Sequence, residues 1–189
     1  MVTIRNEACG DVCAREALLD RVWGLARFEK TAERLRQGRD PADGLSFVAE
    51  ATEELVGTVR LWHVGAGPER PALLLGPLAV EAACRGKGVG SVLVRRALAA
   101  ARRRGHRAVL LVGDADYYGR FGFSAEKTGA LWLPGPFEGH RLLGCELAPG
   151  ALDGARGLVG ATGRPARAPS LNALIAEFAR TDAATRRAA

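Results

Sequence analysis

At 189 residues, 48% of them apolar and 25% charged, the chain is long enough to bury one sizeable core and too apolar to stay disordered. It contains no run of about 18 apolar residues, so no membrane-spanning helix is expected. The net charge of +6 comes mostly from Arg, 24 against 3 Lys, spread along the chain. The one tight cluster, Arg102-Arg103-Arg104, falls where a helix should end, and cations there meet the negative end of the helix dipole. A nucleic-acid partner is therefore not expected. Residues 1–15 carry Glu7 and Asp11 and lack the apolar stretch of a secretory signal, which points to the cytoplasm.

Thr3 to Arg5 reads as a short first strand. Asp11 is placed to cap a helix running to about Trp23, with Val12, Leu18, Leu19 and Val22 as its apolar positions. Thr31 to Gln37 reads as a second, short helix, and residues 39–44 as a loop. Leu45 to Glu50 and Leu55 to Val64 are β-rich and joined by a short polar connection, which predicts a hairpin. Gly65 to Pro71 is turn-forming, and Ala72 to Val80 is an apolar strand broken by Gly76-Pro77. A proline removes a ladder donor, so a bulge or splay is expected there.

A glycine-rich segment and a helix from about Gly90 to Arg104 come next. Val89, Leu93, Ala97 and Ala100 form one apolar stripe and Val94, Leu98 and Ala101 another, as on a helix packed against a sheet, with Gly105 as its C-cap. Arg107 to Gly113 is a buried strand, parallel to its predecessor by the crossover rule. Asp116 to Phe121 reads as a short helix; Leu131 to Leu133 and Arg141 to Leu147 read as late strands. The expected unit is residues 1–149, followed by a Gly-, Ala- and Pro-rich extension, 150–189, with a short amphipathic helix over 170–180.

Residues 84 to 91, Cys-Arg-Gly-Lys-Gly-Val-Gly-Ser, join a buried strand to a helix. A helix N-terminus has unpaired N–H groups and partial positive charge, glycines allow close approach of the backbone, and Arg85 and Lys87 add full charges. The ligand class is a phosphate-bearing cofactor. A P-loop is absent, because Gly88 follows Lys87 where Ser or Thr is needed. A dinucleotide fingerprint is only partly matched: Ser91 stands in the third glycine place, although Asp114 sits where a ribose-binding acid would. A turn with no ligand is the third reading. The cysteines at 9, 13, 84 and 145 and the histidines at 63, 106 and 140 do not form a metal-ligand spacing, and no metal is expected.

Arg85-x-x-Gly88-x-Gly90, preceded by Leu78-Ala79-Val80 and followed by Tyr118-Gly119-Arg120-Phe121-Gly122-Phe123, resembles the acyl-CoA signature of the GNAT superfamily of N-acetyltransferases. The hairpin built on Phe47-Val48-Ala49-Glu50 and Leu55 to Val59 resembles the one that precedes it there, and the Asp-Tyr-Tyr-Gly-Arg-Phe-Gly-Phe string is similar to the branch of small uncharacterised bacterial acetyltransferases. The resemblance covers about residues 3 to 147 and implies an α/β (α+β) fold: a mixed, mostly antiparallel sheet with a splayed parallel pair and flanking helices.

It further implies acetyl-CoA as cofactor, bound by the backbone of Leu78, Ala79 and Val80 and by Arg85, Gly86, Lys87, Gly88, Val89, Gly90 and Ser91. A small-molecule or protein amine would attack the thioester directly, with the Val80 N–H as oxyanion donor and Tyr118 as general acid. Packing is the alternative role for Tyr118. Glu50, Glu81, Asp114 and Asp116 are all candidates for the base, as is ordered water. An acyl-cysteine at Cys84 would need a histidine partner, and none is near in sequence. Asp114 stands where many members carry Asn. The competing functions are an acyl-CoA-binding regulatory module without turnover and a nicotinamide-dependent enzyme. Homodimerisation through the late strands is left open. The resemblance implies an acceptor site built from about residues 20–44 and 124–140, which carry no motif; Arg27, Arg34, Arg36 and Arg39 there either attract an acidic substrate or are solvated.

Overall fold

The computed structural model describes residues 2–166. The expected helix at 170–180 lies outside the described residues. Eight strands form one sheet: β1 (Thr3–Asn6), β2 (Ser46–Ala51), β3 (Glu54–Ala66), β4 (Pro71–Val80), β5 (Ala108–Val112), β6 (Leu131–Trp132), β7 (Leu142–Glu146) and β8 (Gly157–Ala161). The order is β1-β2-β3-β4-β5-β7, with β8 pairing to the far end of β3 and to β6. Neighbours along the main path are antiparallel except β4 and β5, which are parallel across the crossover helix α2 (Val89–Arg103). The mixed, mostly antiparallel architecture expected from the sequence is the one found.

The two faces of the sheet bury different sets of side chains because strand positions alternate. Leu73 and Leu75 of β4 and Val109 and Leu111 of β5 pack under Leu93, Val94 and Ala97 of α2. Leu74, Leu110, Leu142 and Val64 point to the other face, with Leu152 and Val159. Helix α1 (Val12–Trp23) lays Leu18 and Leu19 on Ala79. Asp11 precedes α1, but its carboxylate makes no cap; it pairs with Arg5 at 2.6 Å and accepts from the Ala8 N–H at 2.7 Å.

Two expected elements differ in detail. Thr31–Leu35 is a 3₁₀ turn that ends earlier than the expected helix. The loop expected over 65–71 shrinks, because β3 runs to Ala66 and β4 starts at Pro71.

The bulge expected at Gly76-Pro77 is present: Val59 faces Leu78 and Leu61 faces Leu75, so two residues of β4 oppose Arg60 alone. One extra residue reverses the alternation downstream. Leu78 and Val80 therefore share the α2 face with Leu73 and Leu75, while Ala79 turns to α1.

The sheet continues past residue 149. Val64, Gly65 and Ala66 pair with Ala161, Gly160 and Val159, and Leu152, Ala155 and Val159 are buried. The packed unit thus extends beyond the expected boundary by at least β8. Leu152→Ala is expected to cost about 2–5 kcal/mol, the loss for a buried leucine whose cavity does not collapse. Urea unfolding measures it, and a change within error would mean that this segment is not part of the cooperative unit.

Candidate active site

The site begins where β4 and β5 part. Their parallel pairing is confined to Leu73–Val109 and Leu74–Leu110, ahead of the bulge. Beyond it β4 stays bonded to β3, with the Glu81 N–H donating to the Val56 carbonyl at 2.8 Å. Alternation in an antiparallel ladder then points Ala79 at Thr58 and turns the N–H and C=O groups of Leu78 and Val80 into the opening. Side chains reach these groups from the open side: Trp23 Nε1 donates to the Leu78 carbonyl at 3.2 Å and Arg85 Nε to the Val80 carbonyl at 3.3 Å. Ala79, expected among the cofactor contacts, faces away on both counts: its backbone pairs with Thr58 and its side chain packs on α1.

One end of the opening is the glycine loop. Gly86 (φ +74°) and Gly88 (φ +81°) are left-handed, the region that side chains disfavour, and Gly88 is the N-cap residue of α2. No side chain caps α2, so the amides of Val89, Gly90 and Ser91 lack the partner a capping residue would supply. The loop borders a cleft of 490 Å³ lined by Arg85, Gly86, Gly88, Val89, Gly90 and Ser91, along with Leu78 and Val80. Lys87 is exposed and does not line it. Four residues that sequence reasoning did not place there do: Val22, Trp23, Tyr117 and Arg120. Arg120 lies 4.6 Å from the Tyr117 ring centroid and donates from Nε to the Tyr117 carbonyl at 2.9 Å, which adds a third cation near the loop.

The other end is a larger cleft of 840 Å³ that shares Trp23, Leu78 and Tyr117 with the first. Its floor is the β4 bulge and the end of β5, and Tyr118 lies in its wall. Tyr118 ends helix α3 (Ala115–Tyr118), whose first turn is capped by Asp114, accepting from the Asp116 N–H at 3.0 Å. The Tyr118 ring sits against Gly113, where a Cβ would lie 2.7 Å from its Cδ2, and stacks edge-on with Tyr117 at 4.9 Å and Phe123 at 5.9 Å. Burial pushes the Tyr118 phenol up to about 12; Tyr117 adds to the shift and Arg141 opposes it.

The candidate bases are mostly occupied. Glu50 pairs with Arg5 at 2.8 Å, Glu81 with Arg21 at 3.0 Å, and Asp114 serves as the cap. Of the four, only Asp114 lines either of these two clefts. Cys84 borders the smaller cleft, but none of the three histidines lines either one. Among the described residues, no three His, Cys, Asp or Glu side chains gather as a metal would require. No helix among them is long and apolar enough to cross a membrane.

A strand pair opening beside a glycine-capped helix, with a tyrosine opposite, agrees with the outcome of family comparison. Residues 15–123 match the model of the acetyltransferase (GNAT) family. The chain belongs to the GNAT family. It is 34% identical over 163 residues to the uncharacterised N-acetyltransferase YhbS of Escherichia coli K12, covering 82% of this chain and 93% of that protein. The crystal structure of E. coli YhbS in complex with CoA superposes with a TM-score of 0.70 at 30% identity, covering 85% of this chain and 89% of that one. A GNAT acetyltransferase from Brucella melitensis, crystallised with acetyl-CoA, aligns with a TM-score of 0.54 at 32% identity over 65% of this chain and 82% of that one. The GNAT match ends at Phe123, so Arg141 and the strands β6 to β8 lie outside it.

Proposed function

We propose that this GNAT enzyme transfers an acetyl group from acetyl-CoA to a primary amine within the opening between β4 and β5. The observation that carries this reading is the pair of backbone edges at Leu78 and Val80, which turn away from β3 and find no partner on β5. An extended amide-bearing arm can pair with such an edge, and the uncapped start of α2 suits a pyrophosphate. The residues present thus fit coenzyme A. When bound, acetyl-CoA supplies the acyl group as a thioester.

The protein's own groups then have defined tasks. The Val80 N–H donates to the carbonyl oxygen as negative charge develops on it, an interaction that grows toward the transition state. Tyr118 Oη gives its proton to the sulfur as the C–S bond breaks. The amine enters from the 840 Å³ cleft and attacks the carbonyl carbon directly, and its proton leaves through solvent in that cleft.

A nicotinamide-dependent reading has less to stand on. Asp114, the residue that would hold a ribose, is committed to α3, and three antiparallel strands precede β4 where a doubly wound fold would place parallel ones. Calorimetric titration at moderate salt is expected to show binding of acetyl-CoA and none of NAD. Binding of NAD alone would reverse the conclusion. Release of free CoA in the presence of an amine panel then separates an enzyme from a module that binds without turnover.

A further inference from the structure

The larger cleft is strongly cationic on the side away from the glycine loop. Arg27, Lys30, Arg34, Arg36 and Arg141 all line it. Two of them are structural. Arg27 is held by Glu16 at 2.5 Å and Asp20 at 2.9 Å, and Arg34 ties down the opposite loop by donating to the Pro134 carbonyl at 2.7 Å. The other three, Lys30, Arg36 and Arg141, line the cleft together. Arg36 is buried, pairs with Glu33 at 2.8 Å, and sets its Nη1 against Gly76 at the β4 bulge. Arg141 spends only Nε, on the Gly113 carbonyl at 3.4 Å, and Lys30 Nζ lies 3.6 Å from the Trp23 ring centroid. Neither Arg141 nor Lys30 has a carboxylate partner among the described residues.

Partial desolvation against the cleft wall holds the Lys30 ammonium below its usual range, although much of the side chain is exposed, and the charges of Arg36 and Arg141 add to that shift. Like charges gathered on one wall of a cleft repel one another, and an anion bound among them relieves that repulsion. The carboxylates lining the cleft do not supply it. Asp114 caps α3, and Glu29 and Glu138 are exposed, Glu138 lying 3.4 Å from His140. Arg141 also acts on the Tyr118 phenol, so the cationic wall and the proposed acid share one space. A cleft of 840 Å³ is of the size that encloses a small molecule.

We propose that the acceptor is a small amine that also bears an anionic group, carboxylate or phosphate, held by Lys30, Arg36 and Arg141. This rests on the acetyltransferase reading above. The test titrates CoA-loaded protein, and follows acetyl-CoA turnover, with matched pairs: amino acids against their carboxamides, and O-phosphoethanolamine against ethanolamine. At least one anionic member is expected to bind and to give a kcat/KM about 10-fold or more above its neutral partner, carried mainly in KM, because the site's cations are left unpaired by the neutral analogue. The pair that shows the difference identifies the anionic group.

In Lys30→Met and Arg141→Gln, both changed at exposed side chains, the ratio is expected to fall toward one. Failure of wild-type protein to bind acetyl-CoA would overturn the acetyltransferase reading itself. Three outcomes with acetyl-CoA binding intact overturn this inference alone: no anionic amine binds, neutral amines match their anionic partners, or the ratio persists in both variants.

Discussion

Tyr118→Phe is expected to lower kcat for acetyl transfer by about 10²–10⁴-fold, the usual contribution of a positioned general acid, with acetyl-CoA affinity unchanged. The ring is fixed by Gly113 and by edge contacts with Tyr117 and Phe123, none of which needs the hydroxyl. Phenylalanine keeps the packing and removes only the proton. The phenol is raised from 10.0 to about 12, so the folded protein holds this proton more tightly than the unfolded chain does. The associated stability is complete below about pH 10 and is lost as pH rises through about 12. Rate profiles should therefore show no loss attributable to Tyr118 up to about pH 10. A kcat within a few-fold of wild type in the variant would assign Tyr118 to packing and leave thiolate protonation to solvent.

How legible each part was depends on the range of the forces that shape it. The β2–β3 hairpin and α2 are written locally, in alternation and in a double apolar stripe, and both appear within a residue or two of their expected bounds. Gly76-Pro77 announced a bulge, since proline cannot donate to a ladder. It did not announce that the bulge would reverse the alternation and so separate Ala79 from Leu78 and Val80. β8 was missed because Gly157 and Gly160 weaken its propensity and Leu158 is exposed; it exists by pairing with the end of β3, a partner about a hundred residues away.

The same distance hid the cationic wall. Lys30, Arg36 and Arg141 come from two loops separated by most of the chain; Arg36 alone reads either as a charge that attracts an acidic substrate or as a solvated one, and no local pattern joins it to Lys30 and Arg141. Trp23 read only as the approximate end of α1, although its indole reaches the Leu78 carbonyl. Arg120 lay inside the motif that drew attention to Tyr118. A helix of four residues followed by a 3₁₀ turn brings it back over Tyr117, and no sequence periodicity encodes that return.

Gly88→Glu should reduce acetyl-CoA affinity by about 10²-fold or more, because several charge-assisted hydrogen bonds are lost together. Space does not decide the result: a Cβ at Gly88 would meet no atom within 4 Å, so a side chain there projects from the loop into open surroundings. Conformation costs something, since φ is +81° and a non-glycine residue in the left-handed region loses about 1–2 kcal/mol. Gly88→Ala carries that strain alone and should bind acetyl-CoA with only a modest loss. Glutamate adds a carboxylate at the N-cap of α2, where the amides of Val89, Gly90 and Ser91 would otherwise receive the pyrophosphate. The carboxylate competes for those donors from within the chain and repels the phosphates as well. Comparing the two variants by calorimetry and thermal unfolding separates charge from strain. Equal loss in both would assign the effect to loop geometry. Full affinity in the glutamate variant would remove the glycine loop from the cofactor site and leave the edge of β4 as the only contact argued for coenzyme A.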